Sequence, residues 1–208
     1  LFCTGTVIHP RWVVTAAHCL GDGELRLRLL AIGGGTFTAA LGRPVVHPAG
    51  DLALLELVEP DQVAAESVRP LGFRRSLDDT LVGTTAMLAG VGLTERQTRG
   101  DLRIVEEPIV ELDDAYVVVD GRGTTGACVG DSGGPVFETN VGGDVAVVLG
   151  VLSKGAKNCR GRDSYLRLDV YAQWLDERVE KPALLGGAAP DEPEAGIFDT
   201  SCSSRGLP

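Results

Sequence analysis

Aromatic residues make up only 5% of the 208-residue chain, and there is a single Met. Lysine is almost missing: 3 of the 19 basic residues are Lys and the rest are Arg. That skew points to a GC-rich bacterial genome. No apolar run approaches the ~18 residues of a spanning helix, which argues against a membrane-spanning helix and against a membrane partner. Excess positive charge is also absent. With 29 acidic residues and a net charge of −10, the chain is expected to bind neither nucleic acid nor an anionic surface. There is no initiator Met, charged leader or apolar cleavage region, so no signal peptide is visible. The sequence reads as one that opens inside a strand, after removal of an N-terminal piece or as a fragment. What is plentiful is aliphatic: 44% of residues are hydrophobic, enough to exclude disorder for most of the chain. A chain of this length can bury roughly 70% of its unfolded surface.

The apolar residues come in short runs separated by turn residues, with little helical periodicity. Glu24–Leu29 alternates Leu25, Leu27 and Leu29 with Arg26 and Arg28, a half-buried strand. Leu1–Ile8, Thr6–Val14, Pro44–His47, Leu52–Val58, Thr84–Gly90, Pro108–Leu112, Tyr116–Val119, Pro135–Glu138, Val145–Leu152 and Ser164–Leu168 read the same way. Glycine clusters at 33–35, 121–126 and 142–143 punctuate them, which predicts a β sandwich or barrel. One helix is predicted near the end, capped by Asp169, with Val170, Tyr171, Trp174 and Leu175 on its apolar face and Pro182 as its stop. Residues 182–208, rich in Pro, Gly, Ala and acid, read as a linker or disordered tail.

Three motifs carry chemistry: Thr15-Ala16-Ala17-His18-Cys19, Asp51-Leu52-Ala53-Leu54-Leu55 and Gly130-Asp131-Ser132-Gly133-Gly134-Pro135. A hydroxyl is a poor nucleophile until a base removes its proton, and a His, an Asp and a Ser are the set that does this. Each motif alone has a plain reading, the Asp as a strand-edge charge and the Ser motif as a polar turn. In this order, over roughly residues 2–180, they resemble the chymotrypsin/trypsin family of serine proteases. His9 and His47, each before a proline, lie outside the motifs and read as surface-turn residues.

The resemblance implies an all-β fold of two packed antiparallel barrels with a C-terminal helix. It divides the chain into a first barrel at 1–70 lacking its opening strand, a connection at 71–83, a second barrel with the helix at 84–181, and the tail at 182–208. It implies His18 as general base and acid, Asp51 as its orienting partner, Ser132 as nucleophile, and the N–H groups of Gly130 and Ser132 as the oxyanion hole. Ser153 matches the family serine that hydrogen-bonds the triad carboxylate. The implied activity is endopeptidase hydrolysis through an acyl-enzyme, without cofactor. Its partners would be a protein or peptide substrate and a protein inhibitor, with the chain itself a monomer. The rival is a non-catalytic binding module that kept the fold. A lost triad residue would favour that rival, and none is lost.

By the same resemblance, Cys3 pairs with Cys19 and Cys128 with Cys159, the first closing a loop worth ~3 kcal/mol in the chain-entropy model. Paired cysteines imply a secreted or periplasmic location. Cys202 is left over, its partner in a preceding segment, on another chain or nowhere. No metal is expected: no His/Cys cluster has ligand spacing, and Ala31–Leu41, matching the family's calcium loop, has no carboxylate.

The departures concern specificity and activation. The pocket-floor position, six before the nucleophile, is Gly126, where an Asp would select Arg or Lys. Aligning Tyr165 and Trp174 places Asp163 on the pocket wall. Two readings stand. Either Asp163 selects basic P1 residues, or it pairs with Lys154, Lys157 or Arg162 and leaves an apolar-accepting pocket. Lys154 replaces a shelf-forming Trp, either favouring acidic residues upstream of the cleaved bond or standing solvated, and Gly155 keeps the strand that pairs with substrate. Gly90-Val91-Gly92 lacks the family's central Trp. The family's freed Ile-Val-Gly-Gly-like N-terminus, whose ammonium pairs with the carboxylate of Asp131, is not found. The chain as given is therefore expected to be zymogen-like, with a natural form starting roughly two dozen residues earlier.

Overall fold

The computed structural model describes residues 2–21, 25–31, 36–58, 68–94, 96–98, 101–139, 146–179 and 196–202. Leu1, Glu24, residues 32–35 of the calcium-loop stretch, the glycines at 142–143, residues 182–195 and the Cys202 side chain lie outside that description. The first half forms β1 (Phe2–His9), β2 (Trp12–Thr15), β3 (Leu25–Ala31), β4 (Thr36–Leu41), β5 (Val45–Val46) and β6 (Ala53–Val58). The second forms β7 (Gly72–Phe73), β8 (Thr85–Gly90), β9 (Arg103–Leu112), β10 (Tyr116–Asp120), β11 (Pro135–Thr139), β12 (Ala146–Lys154) and β13 (Arg162–Arg167). A short helix, α1 (Ala172–Arg178), and a last strand, β14 (Gly196–Cys202), follow.

Among the described residues, two seven-stranded sheets account for all fourteen strands. In the second, the order β11-β8-β9-β10-β13-β12 closes on itself through β11–β12, a six-strand barrel. The first curls in the order β2-β1-β14-β3-β4-β6 until β2 pairs with β6. The architecture is the expected all-β pair of barrels with a C-terminal helix.

Local chemistry explains where runs break. Pro10 has no N–H to offer a ladder, so the run Thr6–Val14 turns at Pro10-Arg11 into the β1–β2 hairpin. The strand expected from Pro108 begins earlier, at Arg103, because Pro108 sits at the end of the β8 ladder opposite Thr85, where the missing N–H costs little. Asp169 does not cap the helix. Its carboxylate takes the Leu77 N–H and the Arg167 guanidinium, and a 3-10 turn at Asp169–Tyr171 leads into α1.

The tail holds the largest difference. Expected as linker, it contains β14, which runs antiparallel between β1 and β3. Its register runs from Phe2 opposite Ser201 to Thr6 opposite Ile197 on one side, and from Ala31 opposite Gly196 to Leu25 opposite Cys202 on the other. Both edges that would otherwise lack a partner are thereby paired.

Three apolar clusters hold the halves. Val7, Val13, Leu27, Leu55 and Leu57 fill the first barrel. Leu88, Ile109, Val117, Val136 and Leu149 fill the second. The third joins them: Leu52 and Leu54 of the first half pack with Val148, Val151, Leu166 and the α1 residues Trp174 and Leu175. Burying each such side chain contributes ~1.5–3 kcal/mol. This seam fixes the site, because Asp51 precedes Leu52 and Ser153 follows Leu152 on the strand that carries Val151.

Candidate active site

His18 lies in a 3-10 turn, Ala17–Cys19, directly after β2. Asp51 stands at the mouth of β6, at the end of a bend over residues 48–50. Its Oδ1 accepts the His18 backbone N–H at 2.9 Å, and its Oδ2 lies 2.8 Å from His18 Nδ1. A carboxylate can only accept, so Nδ1 carries the proton and Nε2 is left as the base. The Ser153 hydroxyl donates to the same Oδ2 at 2.7 Å. Burial alone would raise the Asp51 pKa, but the His18 and Ser153 hydrogen bonds outweigh it and hold it at about 2. The hydrogen bond to Asp51 raises that of His18, against a smaller opposing effect of burial. The carboxylate therefore stays ionised across the range in which the imidazole titrates.

His47, expected on a bland surface turn, shapes this bend. Its ring packs edge-on against Tyr171 and Trp174, with centroids 4.7 and 5.1 Å apart. Its Nδ1 accepts the N–H groups of Ala49 at 3.1 Å and Gly50 at 2.8 Å, and its own N–H donates to the Leu52 carbonyl. Burial and the nearby Arg178 push its pKa down, which keeps Nδ1 free to accept.

The Ser132 turn is held from both barrels. The Ser132 carbonyl accepts the Thr4 N–H at 2.8 Å, and the Gly130 carbonyl accepts the Thr4 hydroxyl at 2.8 Å. Thr15 donates its hydroxyl to the Thr4 carbonyl, completing a buried relay that the sequence reading missed. Gly133 donates to Leu152 on β12. Gly133 has φ +82°, and a Cβ there would sit 2.1 Å from Thr15 Oγ1, so only glycine fits. The N–H groups of Gly130 and Ser132 take no part in the turn's backbone hydrogen bonds among the described residues. Cys3–Cys19 and Cys128–Cys159 are disulfide-bonded, bracing the His18 turn against β1 and the Ser132 approach against the 156–161 loop. The structure thus brings His18, Asp51 and Ser153 into one network and sets the Ser132 backbone against β1. No hydrogen bond joins Ser132 Oγ to His18 among the described residues. The ligand atoms of Cys3, His18 and Cys19 cluster within 4.8 Å, but both sulfurs are in a disulfide and offer no thiolate.

Asp131 is held by two backbone N–H groups. Its Oδ1 accepts the Gly92 N–H at 2.7 Å and its Oδ2 the Cys128 N–H at 2.8 Å. A Cβ on Gly90 or Gly92 would strike this carboxylate at 2.0 or 2.7 Å. Burial raises the Asp131 pKa, and the two N–H groups oppose that rise.

Asp163 is fully buried on β13. Its partners are neither Lys154, Lys157 nor Arg162. Instead Oδ2 accepts the Ala127 N–H at 2.6 Å and Oδ1 the Ala156 N–H at 2.7 Å, so the carboxylate bridges the 126–127 and 155–156 segments. Arg162 pairs with Glu111, and the Lys154 ammonium lies 4.7 Å from the centre of the Tyr116 ring. Burial raises the Asp163 pKa despite the two N–H groups.

Two six-strand rings with a buried seam, a His–Asp–Ser hydrogen-bond network beside it and a glycine-bounded serine turn define a protein of the chymotrypsin-fold class. The trypsin family model matches residues 1–175, and the chain belongs to that family of serine proteases. It is 32% identical to human granzyme M over 189 residues, covering 76% of this chain and 70% of granzyme M. An uncharacterized peptidase of Corynebacterium glutamicum is 30% identical over 187 residues, and mouse tryptase 26% over 219. The chain spans 62% of the Corynebacterium peptidase's length and 79% of tryptase's, with 83% and 86% of its own residues aligned.

Proposed function

We propose that the chain is a secreted serine endopeptidase that cleaves protein or peptide chains after Arg or Lys through an acyl-enzyme, without a cofactor. The observation that carries this reading is the Asp51 carboxylate shared between His18 and Ser153. It fixes the tautomer that leaves Nε2 basic and favours the imidazolium that forms when a hydroxyl loses its proton.

In this reading Ser132 Oγ attacks the scissile carbonyl carbon while His18 Nε2 takes its proton. The carbonyl electron pair moves onto oxygen, which the N–H groups of Gly130 and Ser132 receive. Collapse of the tetrahedral species breaks the C–N bond as His18 returns the proton to the leaving amine. A water, deprotonated in turn by His18, hydrolyses the acyl-Ser132 ester. Asp131, with Gly90 and Gly92 around it, holds the turn from behind and is the acid that an activating ammonium would meet.

The preference for a basic side chain rests on Asp163. Gly126 contributes no charge at the pocket floor, and Gly155 has no side chain opposite the wall: a Cβ there would lie 3.4 Å from Asp163 Oδ1. A substrate cation at this wall would offset the burial of the carboxylate. The two disulfides support an oxidising compartment and hence secretion. Cleavage of a peptide library by the chain with its N-terminus extended and freed, with Ser132→Ala as control, tests the reading. Control-sensitive cuts after Arg or Lys are expected, and cuts after Leu or Phe with none after Arg would overturn the P1 assignment.

A further inference from the structure

The surface that continues from β12 reverses the charge of the protein as a whole. Residues 154–162 carry four basic side chains, Lys154, Lys157, Arg160 and Arg162, and no acid, in a chain of net charge −10. All four are exposed, and so is Arg122. The Gly121 N–H donates to the Gly161 carbonyl at 3.0 Å, which sets the Arg122 backbone beside this segment. Further links hold the loop: the Cys128–Cys159 disulfide, the Ala156 N–H on Asp163, the Cys159 N–H on the Ala156 carbonyl and the Arg160 N–H on Asn158 Oδ1. Arg162 is answered by Glu111 and stands opposite Asp120 on β10, whose Oδ1 takes the Arg122 backbone N–H. Lys154, Lys157, Arg160 and the Arg122 guanidinium have no carboxylate partner among the described residues. The loop is continuous with the site. Lys154 follows Ser153, whose hydroxyl is bonded to Asp51, and Cys128, four residues before Ser132, has its Cα 4.6 Å from that of Cys159. The Cα atoms of Ser132 and Arg160 are therefore at most roughly 23 Å apart, the reach of about seven residues of an extended peptide.

We propose that Lys154, Lys157, Arg160 and Arg122 form a docking rim for the acidic side chains that flank the cleaved bond of a polypeptide substrate. The inference rests on the protease reading above and narrows its substrate class. A single exposed ion pair contributes little, so no one of these cations suffices. Several like charges on a loop already fixed by the fold attract an opposite charge together, without the cost of ordering the loop, and the attraction weakens with salt. The excess of acid elsewhere repels an acidic peptide, so its capture depends on this local reversal of sign. A peptide rich in cations is repelled by the rim, which sets a basic P1 residue among Asp and Glu neighbours. A polypeptide is favoured over a sulfated glycan because the rim runs into the strand that carries Ser153 and is tied to the approach to Ser132, within reach of a chain seated for cleavage.

The test is fluorescence anisotropy of two labelled peptides with the chain, its N-terminus extended and freed and Ser132→Ala preventing cleavage. Both peptides hold one central Arg, flanked by Asp and Glu in the first and by Gly and Ser in the second, over about fourteen residues so that either flank reaches the rim. The acidic peptide should bind about tenfold more tightly at low salt, and the preference should fade as the Debye length shortens toward about 3 Å at 1 M. Adding Lys157→Gln and Arg160→Gln should remove most of the preference and leave the neutral peptide's affinity unchanged. Equal affinity for the two peptides, or a preference that survives in the double variant, overturns the proposal. Capture of a sulfated polysaccharide by these cations, with no preference between the peptides, overturns the choice of partner. Should the double variant not fold, a preference indifferent to salt overturns the proposal alone. Fluorophosphonate labelling of the same chain with Ser132 intact separates the two claims. Absent labelling with charge-dependent peptide binding faults the protease reading, and labelling with indifferent binding faults the rim.

Discussion

Thr4 grips the serine turn at two points: its hydroxyl donates to the Gly130 carbonyl at 2.8 Å and its N–H to the Ser132 carbonyl at the same distance. The carbonyls of the two residues whose N–H groups are the proposed oxyanion donors are thus anchored to the first barrel, on either side of Asp131. Thr4→Val keeps the shape and the N–H but leaves a buried carbonyl without its donor. The cost should be about 1–3 kcal/mol of stability by denaturant unfolding. In peptide hydrolysis kcat should fall with KM little changed, since the turn relaxes where charge develops in the transition state.

His47 acts one layer behind Asp51. Its Nδ1 accepts two N–H groups of the bend that presents the carboxylate. His47→Phe preserves the ring contacts with Tyr171 and Trp174 but removes the acceptor. The expected result is a several-fold lower kcat and a lower Tm, whereas a variant with unchanged kcat would show that the aromatic packing alone sets the bend.

The pH profile follows from the two titrating groups. His18 must be neutral to act as base, and its pKa is raised by Asp51, so kcat/KM should climb with pH through a midpoint above 6.5. Asp51, held at about 2, contributes no second limb in that range. It is stabilising while ionised, and that contribution is lost only as pH falls from its unfolded value of 3.8 through 2. Ser153→Ala removes one of the bonds that depress it and should move the acid limb of stability upward in a pH titration of unfolding.

Strand β14 closes the first sheet between β1 and β3. Removing residues 180–208 exposes two strand edges and should lower Tm and cause concentration-dependent association, read by light scattering. In the full chain the amides of 197–201 should exchange slowly. Fast exchange there, with unchanged Tm after truncation, would contradict the pairing.

Much of this was legible in the residues. The structure brings His18, Asp51 and Ser153, each singled out in the sequence, into one hydrogen-bond network, and the strand β3 is plain in the alternation of Leu25, Leu27 and Leu29 with Arg26 and Arg28. β14 was hidden because a seven-residue strand in a Pro-, Gly- and acid-rich stretch shows composition more strongly than periodicity, and its partners on β1 and β3 lie far back at the start of the chain. Asp163 was matched against cations because charge is visible in a sequence, while the backbone N–H groups it uses are not. Thr4 and Thr15 look like any strand threonines until their carbonyl partners are known.

The measurement that bears most directly on the account is fluorophosphonate labelling of the chain with its N-terminus extended and freed, read by mass spectrometry against Ser132→Ala. Covalent modification of Ser132, absent from the control and rising with pH as His18 loses its proton, is the predicted result. An unlabelled Ser132 at every pH, in a chain shown to be folded, would contradict the account and leave a protease fold that binds without cutting.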